Sequence, residues 1–178
     1  VTIERENQPR AALNLRPIGL IRTPFPRPEG TPIQPTEAAG AQGRVEVYRE
    51  YENALQDLEG FERIWLLYWM DRAPEPRLRV RPFLDTAERG LFATRAPCRP
   101  NPIGMSCVRL LEVRGNILVV EDVDMLDQTP LLDIKPYAAR FDSFSVSRGG
   151  WLDNAPVCDG IADGRFSTEA DASMEHKE

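Results

Sequence analysis

Met105-Ser-Cys-Val-Arg-Leu-Leu-Glu-Val113, then Arg114-Gly115-Asn116, then Ile117-Leu-Val-Val-Glu-Asp-Val123 is the stretch that decides how this chain folds. Two apolar-rich runs flank a short glycine-containing turn, the pattern of a β-hairpin. Just upstream stands Gly90-Leu-Phe-Ala-Thr-Arg95-Ala-Pro-Cys98-Arg99-Pro100-Asn101-Pro102-Ile-Gly104. Each proline fixes its own φ and drives the preceding residue out of the helical region, so this corner cannot be a helix. It presents Arg95, Arg99 and Asn101 from a stiff loop. Such loops hold charged ligands, and they also serve as structural corners with solvated arginines. Spacing alone does not choose between the two.

Further strands are expected on both sides. Leu15–Thr23 reads as the first, ended by Pro24. Residues 24–43 hold five prolines and three glycines and read as one long loop, a frequent seat of function. Arg44–Tyr48 alternates as a half-buried strand. Tyr48, Tyr51, Leu55 and Leu58 recur at helical spacing before Gly60, which predicts a short amphipathic helix. The run Ile64-Trp-Leu-Leu-Tyr-Trp-Met70 predicts a strand buried on both faces, leaving the core at Asp71-Arg72. In Arg77-Leu-Arg-Val-Arg81 the alternation points Leu78 and Val80 inward and the three arginines outward. Leu91–Arg95 and Leu131–Tyr137 complete the set of expected strands. The chain therefore reads as mostly β: a single β-barrel domain over 15–152 with one or two short accessory helices. A flexible arm over 1–14 and a flexible acidic C-terminal tail over 153–178 flank it.

Composition narrows the function classes. Of 178 residues, 42% are hydrophobic and 28% charged, ordinary values for a globular domain. No apolar run is long enough to span a bilayer, and no signal-peptide pattern is present. Three cysteines at no zinc spacing point to a reducing, cytoplasmic setting. The only histidine is His176, which excludes a histidine base or a histidine-held metal in the folded body. The formal net charge of −6 falls mostly on the last residues, whereas Arg72–Arg99 is locally basic and suits a phosphate- or carboxylate-bearing partner.

Three clusters carry candidate chemistry. Lys135 is one of only two lysines in the chain, and in strand geometry Asp133, Lys135 and Tyr137 share one face. Such a trio positions a substrate or relays a proton, or it is a local salt bridge beside a core tyrosine. Cys98 beside Arg99 offers a thiolate without a histidine to activate it. Asp122, Asp124 and Asp127 lack the glycine and glutamate of an EF-hand loop and read better as solvated turn residues than as a cation site.

Read together, the motifs resemble the TsaA/TrmO-like family, tRNA methyltransferase O. Ile18–Pro24 matches its Ile-Gly-x-Ile-Arg-Ser/Thr-Pro start, and Leu58–Trp65 its Leu-Glu-x-Phe-x-x-Ile-Trp stretch. Phe92–Arg95 matches Phe-Ala-Thr-Arg, and Arg99–Gly104 matches Arg-Pro-Asn-Pro-Ile-Gly. Asp127–Tyr137 matches the Asp-x-Thr-Pro-x-x-Asp-Ile-Lys-Pro-Tyr block, and Gly150-Trp-Leu152 resembles a family ending. The resemblance implies a homodimeric β-barrel that binds S-adenosylmethionine and methylates N6 of threonylcarbamoyladenosine beside the tRNA anticodon. By position it implies cofactor contacts at Pro32, Ile33, Gln34, Asp71, Arg72, Arg95, Met105, Asp127, Gln128, Thr129 and Pro130. Beside these, Asp133, Lys135 and Tyr137 are the catalytic candidates, from their shared face and the motif, and Arg99 and Asn101 the substrate-binding candidates, which either lock the corner or reach across a dimer interface. No metal is implied. The chain departs from the family at Ile33 (usually Arg), at Asp71-Arg72 (usually His-Gln) and at Gln128 (usually Gly). Bacterial members also carry a C-terminal domain with no counterpart here. A small-metabolite acceptor and a non-catalytic cofactor-binding role are the competing expectations.

Overall fold

A computed structural model describes residues 14–156 and 159–167. Six antiparallel strands close into a barrel: β1 (Gly19–Arg22), β2 (Gln42–Val47), β7 (Ile117–Glu121), β6 (Ile103–Arg114), β3 (Arg63–Trp69) and β8 (Thr129–Pro136), with β8 returning to β1. The decisive stretch is the β6–β7 hairpin, with Val113 opposite Leu118 and Gly115 at φ 58° in the turn. Closure leaves no unpaired edge in this sheet. Ile21, Val45, Val47, Ile64, Leu66, Val108, Leu118, Val120 and Leu131 fill the interior. One side chain in two points inward, as strand geometry requires.

Several expectations change in detail. β3 is buried on one face only: Ile64, Leu66 and Tyr68 enter the core, while Trp69 is 45% exposed. Among the described residues no second layer covers the outside of the barrel there, so Trp69 stays at the surface. The amphipathic segment after Tyr48 forms two 3-10 turns, Arg49–Leu55 and Leu58–Gly60, broken by Asp57 at φ 65°. Leu55 still packs on the core from there. Leu91–Ala93 is a 3-10 turn and not a strand. The Thr94 hydroxyl and the Arg99 guanidinium donate to its Leu91 carbonyl, and Arg99 also reaches the Thr94 and Ala96 carbonyls. Those side-chain bonds replace a ladder.

β4 (Arg79–Val80) and β5 (Arg89–Gly90) form a separate two-rung hairpin. Val80 is buried but Leu78 is 75% exposed, although its carbonyl accepts from the Leu91 amide (3.0 Å). Val80 joins Leu91, Ala96, Cys98 and Phe166 in a second small core. Cys98 is thus a packing residue with no exposed surface.

Of the segment read as an acidic tail, residues 159–167 are pinned to the body. Ile161 bridges Pro32, the Ile33 amide donates to the Gly160 carbonyl (2.8 Å), and the Ala162 amide donates to the Thr31 carbonyl (2.8 Å). Phe166 meets Phe83 edge-on at 5.1 Å. Residues 168–178, and all of the expected N-terminal arm except Asn14, lie outside the described residues.

Candidate functional site

One end of the barrel opens into a cavity of about 340 Å³. β3 ends here, with Tyr68 on the lining, and β6 begins here at Ile103–Met105, because the two strands run antiparallel. Three connections build the walls: the proline-rich loop with Thr31–Gln34, the loop carrying Thr94, Arg95, Pro97 and Arg99, and the β7–β8 turn with Asp124–Leu126. Ala162 and Phe166 close the remaining side. This volume is within the usual range for a small-molecule site.

Most of the positions marked in the sequence converge on it. Pro32, Ile33, Gln34, Asp71, Arg72, Arg95, Arg99, Met105 and Thr129 line the cavity. Arg95 donates to the Gln34 side-chain oxygen, joining two loops that are distant in sequence. Arg72 donates to the main-chain oxygen of Asp127 (2.5 Å) and lies 3.9 Å from Asp71. Asp127, Gln128 and Pro130 stand behind the wall. The Asp127 carboxylate accepts from the Thr23 amide (3.1 Å) and its amide donates to the Phe25 carbonyl (2.7 Å), tying the turn to the start of the proline-rich loop. Gln128 sits at φ 65°, where a side chain costs about 1 kcal/mol and glycine costs nothing.

Arg99, although on the lining, and the remaining marked residues are engaged elsewhere. Arg99 spends its guanidinium on the 91–96 turn and stacks over Phe92 at 5.6 Å. Asn101 is exposed, with its carbonyl taken by the Ile103 amide. Asp133, Lys135 and Tyr137 do share the outer side of β8, but none of them lines the cavity. Lys135 pairs with Asp133 at 2.7 Å, and Tyr137 packs edge-on against Trp65 at 5.9 Å.

The floor holds what sequence reading missed. The Tyr68 and Ser106 hydroxyls are 3.0 Å apart, and Ser106 donates to Asp124 at 2.5 Å. Burial pushes the Asp124 carboxyl up to about 7, against the hydrogen bond from Ser106. Burial likewise raises the Tyr68 hydroxyl, which stays protonated and a donor. Gly104 is the reason Tyr68 fits: a Cβ at that position would lie 2.1 Å from the ring. The three aspartates around the turn are not a solvated set. Asp122 pairs with Arg63 (2.8 Å), Asp124 takes Ser106, and Asp127 takes Thr23. No cluster able to hold a metal ion occurs among the described residues. The only sign of Asp124 in the sequence is its alternation with Val123 and Met125, both of which are buried.

Residues 20–143 match the family model for the tRNA-methyltransferase O N-terminal domain. The chain belongs to the tRNA-methyltransferase O family. A probable S-adenosyl-L-methionine-binding protein of Pyrococcus abyssi is 51% identical over 138 residues, covering 78% of this chain and 75% of that protein. Mouse tRNA (adenine(37)-N6)-methyltransferase is 37% identical over 134 residues, 71% of this chain but 31% of the mouse protein. The crystal structure of TrmO from Pseudomonas aeruginosa superposes with a TM-score of 0.71 at 36% identity, over 83% of this chain and 66% of that one. The barrel is the part shared with the family. Ala162 and Phe166, which complete the cavity, lie beyond the residues the family model matches.

Proposed function

We propose that this protein is an S-adenosylmethionine-dependent methyltransferase acting on N6 of threonylcarbamoyl-modified adenosine beside the tRNA anticodon. The convergence of the family's dispersed motifs on one cavity carries this reading. Its walls fit the cofactor. Pro32, Met105 and Phe83 offer apolar surface for an adenosine, while Arg72, Arg95, Asp71 and Asp124 offer both signs of charge for a zwitterionic amino-acid end. When bound, the cofactor supplies a methyl group activated on a sulfonium. The protein's share is then proximity and orientation, which needs neither a histidine nor a metal. Gln34 and Arg95 lock two walls together, and Arg72 fixes the turn that bears Asp127.

A polynucleotide acceptor is supported by a second groove lined by Arg77, Arg79, Arg81 and Arg165, of which Arg79 pairs with Glu88 and Arg165 with Asp163, leaving a net positive rim. Phe166 lines both depressions, so the basic rim adjoins the cavity. Such a rim suits a phosphate backbone. The same reading includes a homodimer acting in the cytoplasm, where tRNA is modified. Trp69, Ile103 and Met105 are exposed apolar residues at the cavity end of β3 and β6, the kind of surface a second copy covers. Arg99 and Asn101 are assigned to substrate contact at that junction. Asp133, Lys135 and Tyr137 are assigned to substrate or proton handling across it.

Labelled S-adenosylmethionine and bulk tRNA lacking the modification, followed by nucleoside analysis, test the reading. Label is expected on the threonylcarbamoyl nucleoside. Transfer to a small-molecule extract and not to tRNA would overturn the acceptor. Full turnover by Lys135→Ala would remove the role given to the β8 trio.

A further inference from the structure

Four other carboxylates of these strands and turns, of which Asp71 lines the cavity, have a partner. Asp71 faces Arg72, Asp122 faces Arg63, Asp133 faces Lys135, and Asp127 accepts a main-chain amide. Asp124 differs. It lines the cavity, accepts one side-chain hydrogen bond from Ser106, and forms no ion pair among the described residues. The charges facing it come from every surrounding element. Arg95 reaches it electrostatically from the loop after β5, and Asp71, Arg72 and Arg99 line the same cavity. Tyr68 and Ser106 of β3 and β6 supply neutral hydroxyls beneath it.

We propose that Asp124 is the counter-ion for the positive charge of the cofactor, held uncompensated at the cavity floor until a cation enters. This rests on the cofactor half of the reading above and not on the acceptor. S-adenosylmethionine brings two cationic groups, an ammonium and a sulfonium, and one carboxylate. The cavity's arginines answer the carboxylate, and Asp71 already has Arg72. Asp124 is the remaining anion. The hydroxyl pair under it sets its direction of response. With Asp124 ionised, Ser106 donates to it and Tyr68 donates to Ser106, so the charge is solvated from below and open to a cation from the cavity.

The consequence is a linkage between cofactor and proton. Below about 7 the free carboxyl is protonated and offers a cation nothing; above it the anion is present. A bound cation holds the carboxyl ionised to lower pH. Affinity therefore falls as pH drops from 7.0 to 5.5, by about tenfold, and binding at pH 6 releases close to one proton.

Calorimetric titration with S-adenosylmethionine, in two buffers of different ionisation heat, reads both effects on the purified full chain. The uncharged analogue methylthioadenosine is expected to bind with flat pH dependence. Asp124→Asn is expected to bind the cofactor weakly at pH 7, with no further loss at pH 5.5 and no proton release. Ser106→Ala keeps the carboxyl but removes the bond that favours its charge, so the steep region moves to higher pH. S-adenosylhomocysteine, which keeps the ammonium and lacks the sulfonium, assigns the partner: a steep profile names the ammonium, a flat one the sulfonium. Tight cofactor binding that is flat between pH 5.5 and 7.0, or an unchanged slope in folded Asp124→Asn, overturns the proposal and leaves the cofactor assignment standing. No cofactor binding at any pH overturns both.

Discussion

Asp124 costs the empty protein stability. Its carboxyl titrates at about 7 in the fold and near 3.8 when unfolded, so the native state holds the proton more tightly. The cost is absent below pH 3.8, grows as pH climbs towards 7 and levels off above it, at an amount on the order of a few kcal/mol. Asp124→Asn is expected to flatten that decline, and chemical denaturation at pH 5 and pH 8 measures it. A wild-type protein equally stable at both values, with the variant identical to it, contradicts the assignment. Gly104 is the second informative residue. Its backbone lies against the Tyr68 ring across the β3–β6 pair, and Gly104→Ala forces that ring aside. A loss of about 1–3 kcal/mol in denaturant titration is expected, as for other overpacked sites.

At the scale of elements, the basic hairpin and the loop corner carry separate roles. Replacing Arg77, Arg79 and Arg81 with glutamine is expected to lower the salt dependence of tRNA binding while leaving cofactor affinity unchanged. The slope of log affinity against log salt should drop by somewhat under one for each phosphate contact removed. An unaltered slope would place the nucleic acid elsewhere. The barrel itself was legible in the sequence through period-two alternation and turns, as at β2 and the β6–β7 hairpin, and through a continuous apolar run at β3, whose one-sided burial that run did not convey. What alternation could not convey was depth. Leu78 alternates properly with Val80, and its carbonyl is bonded to the Leu91 amide, yet its side chain stays at the surface. Leu91–Ala93 looks like a strand because its side chains are apolar, but Arg99 and Thr94 capture its carbonyls from outside any local pattern. The cavity lining was legible through motifs and not through periodicity. Asp124 escaped because nothing in a chain of alternating apolar and acidic residues marks which carboxylate turns inward beside Ser106.

In the molecule as a whole, the cavity depends on a contact between distant parts of the chain. The Pro32–Ile161 bridge and the Phe83–Phe166 packing bring the segment 159–167 onto the proline-rich loop and the basic hairpin. Phe166→Ala is expected to weaken cofactor binding about tenfold while the barrel's main thermal transition moves little, because Phe166 belongs to the small second core and not to the barrel interior. Calorimetry and a melting curve on the same preparation decide this; a collapse of the main transition would make the segment part of the barrel's stability instead. β8 ends at Pro136, so every strand of the barrel precedes Ala162 and Phe166 in the chain. The pocket thus takes one wall from a segment that follows the whole barrel in the chain, and a barrel complete in its strands still depends on that segment to hold a ligand.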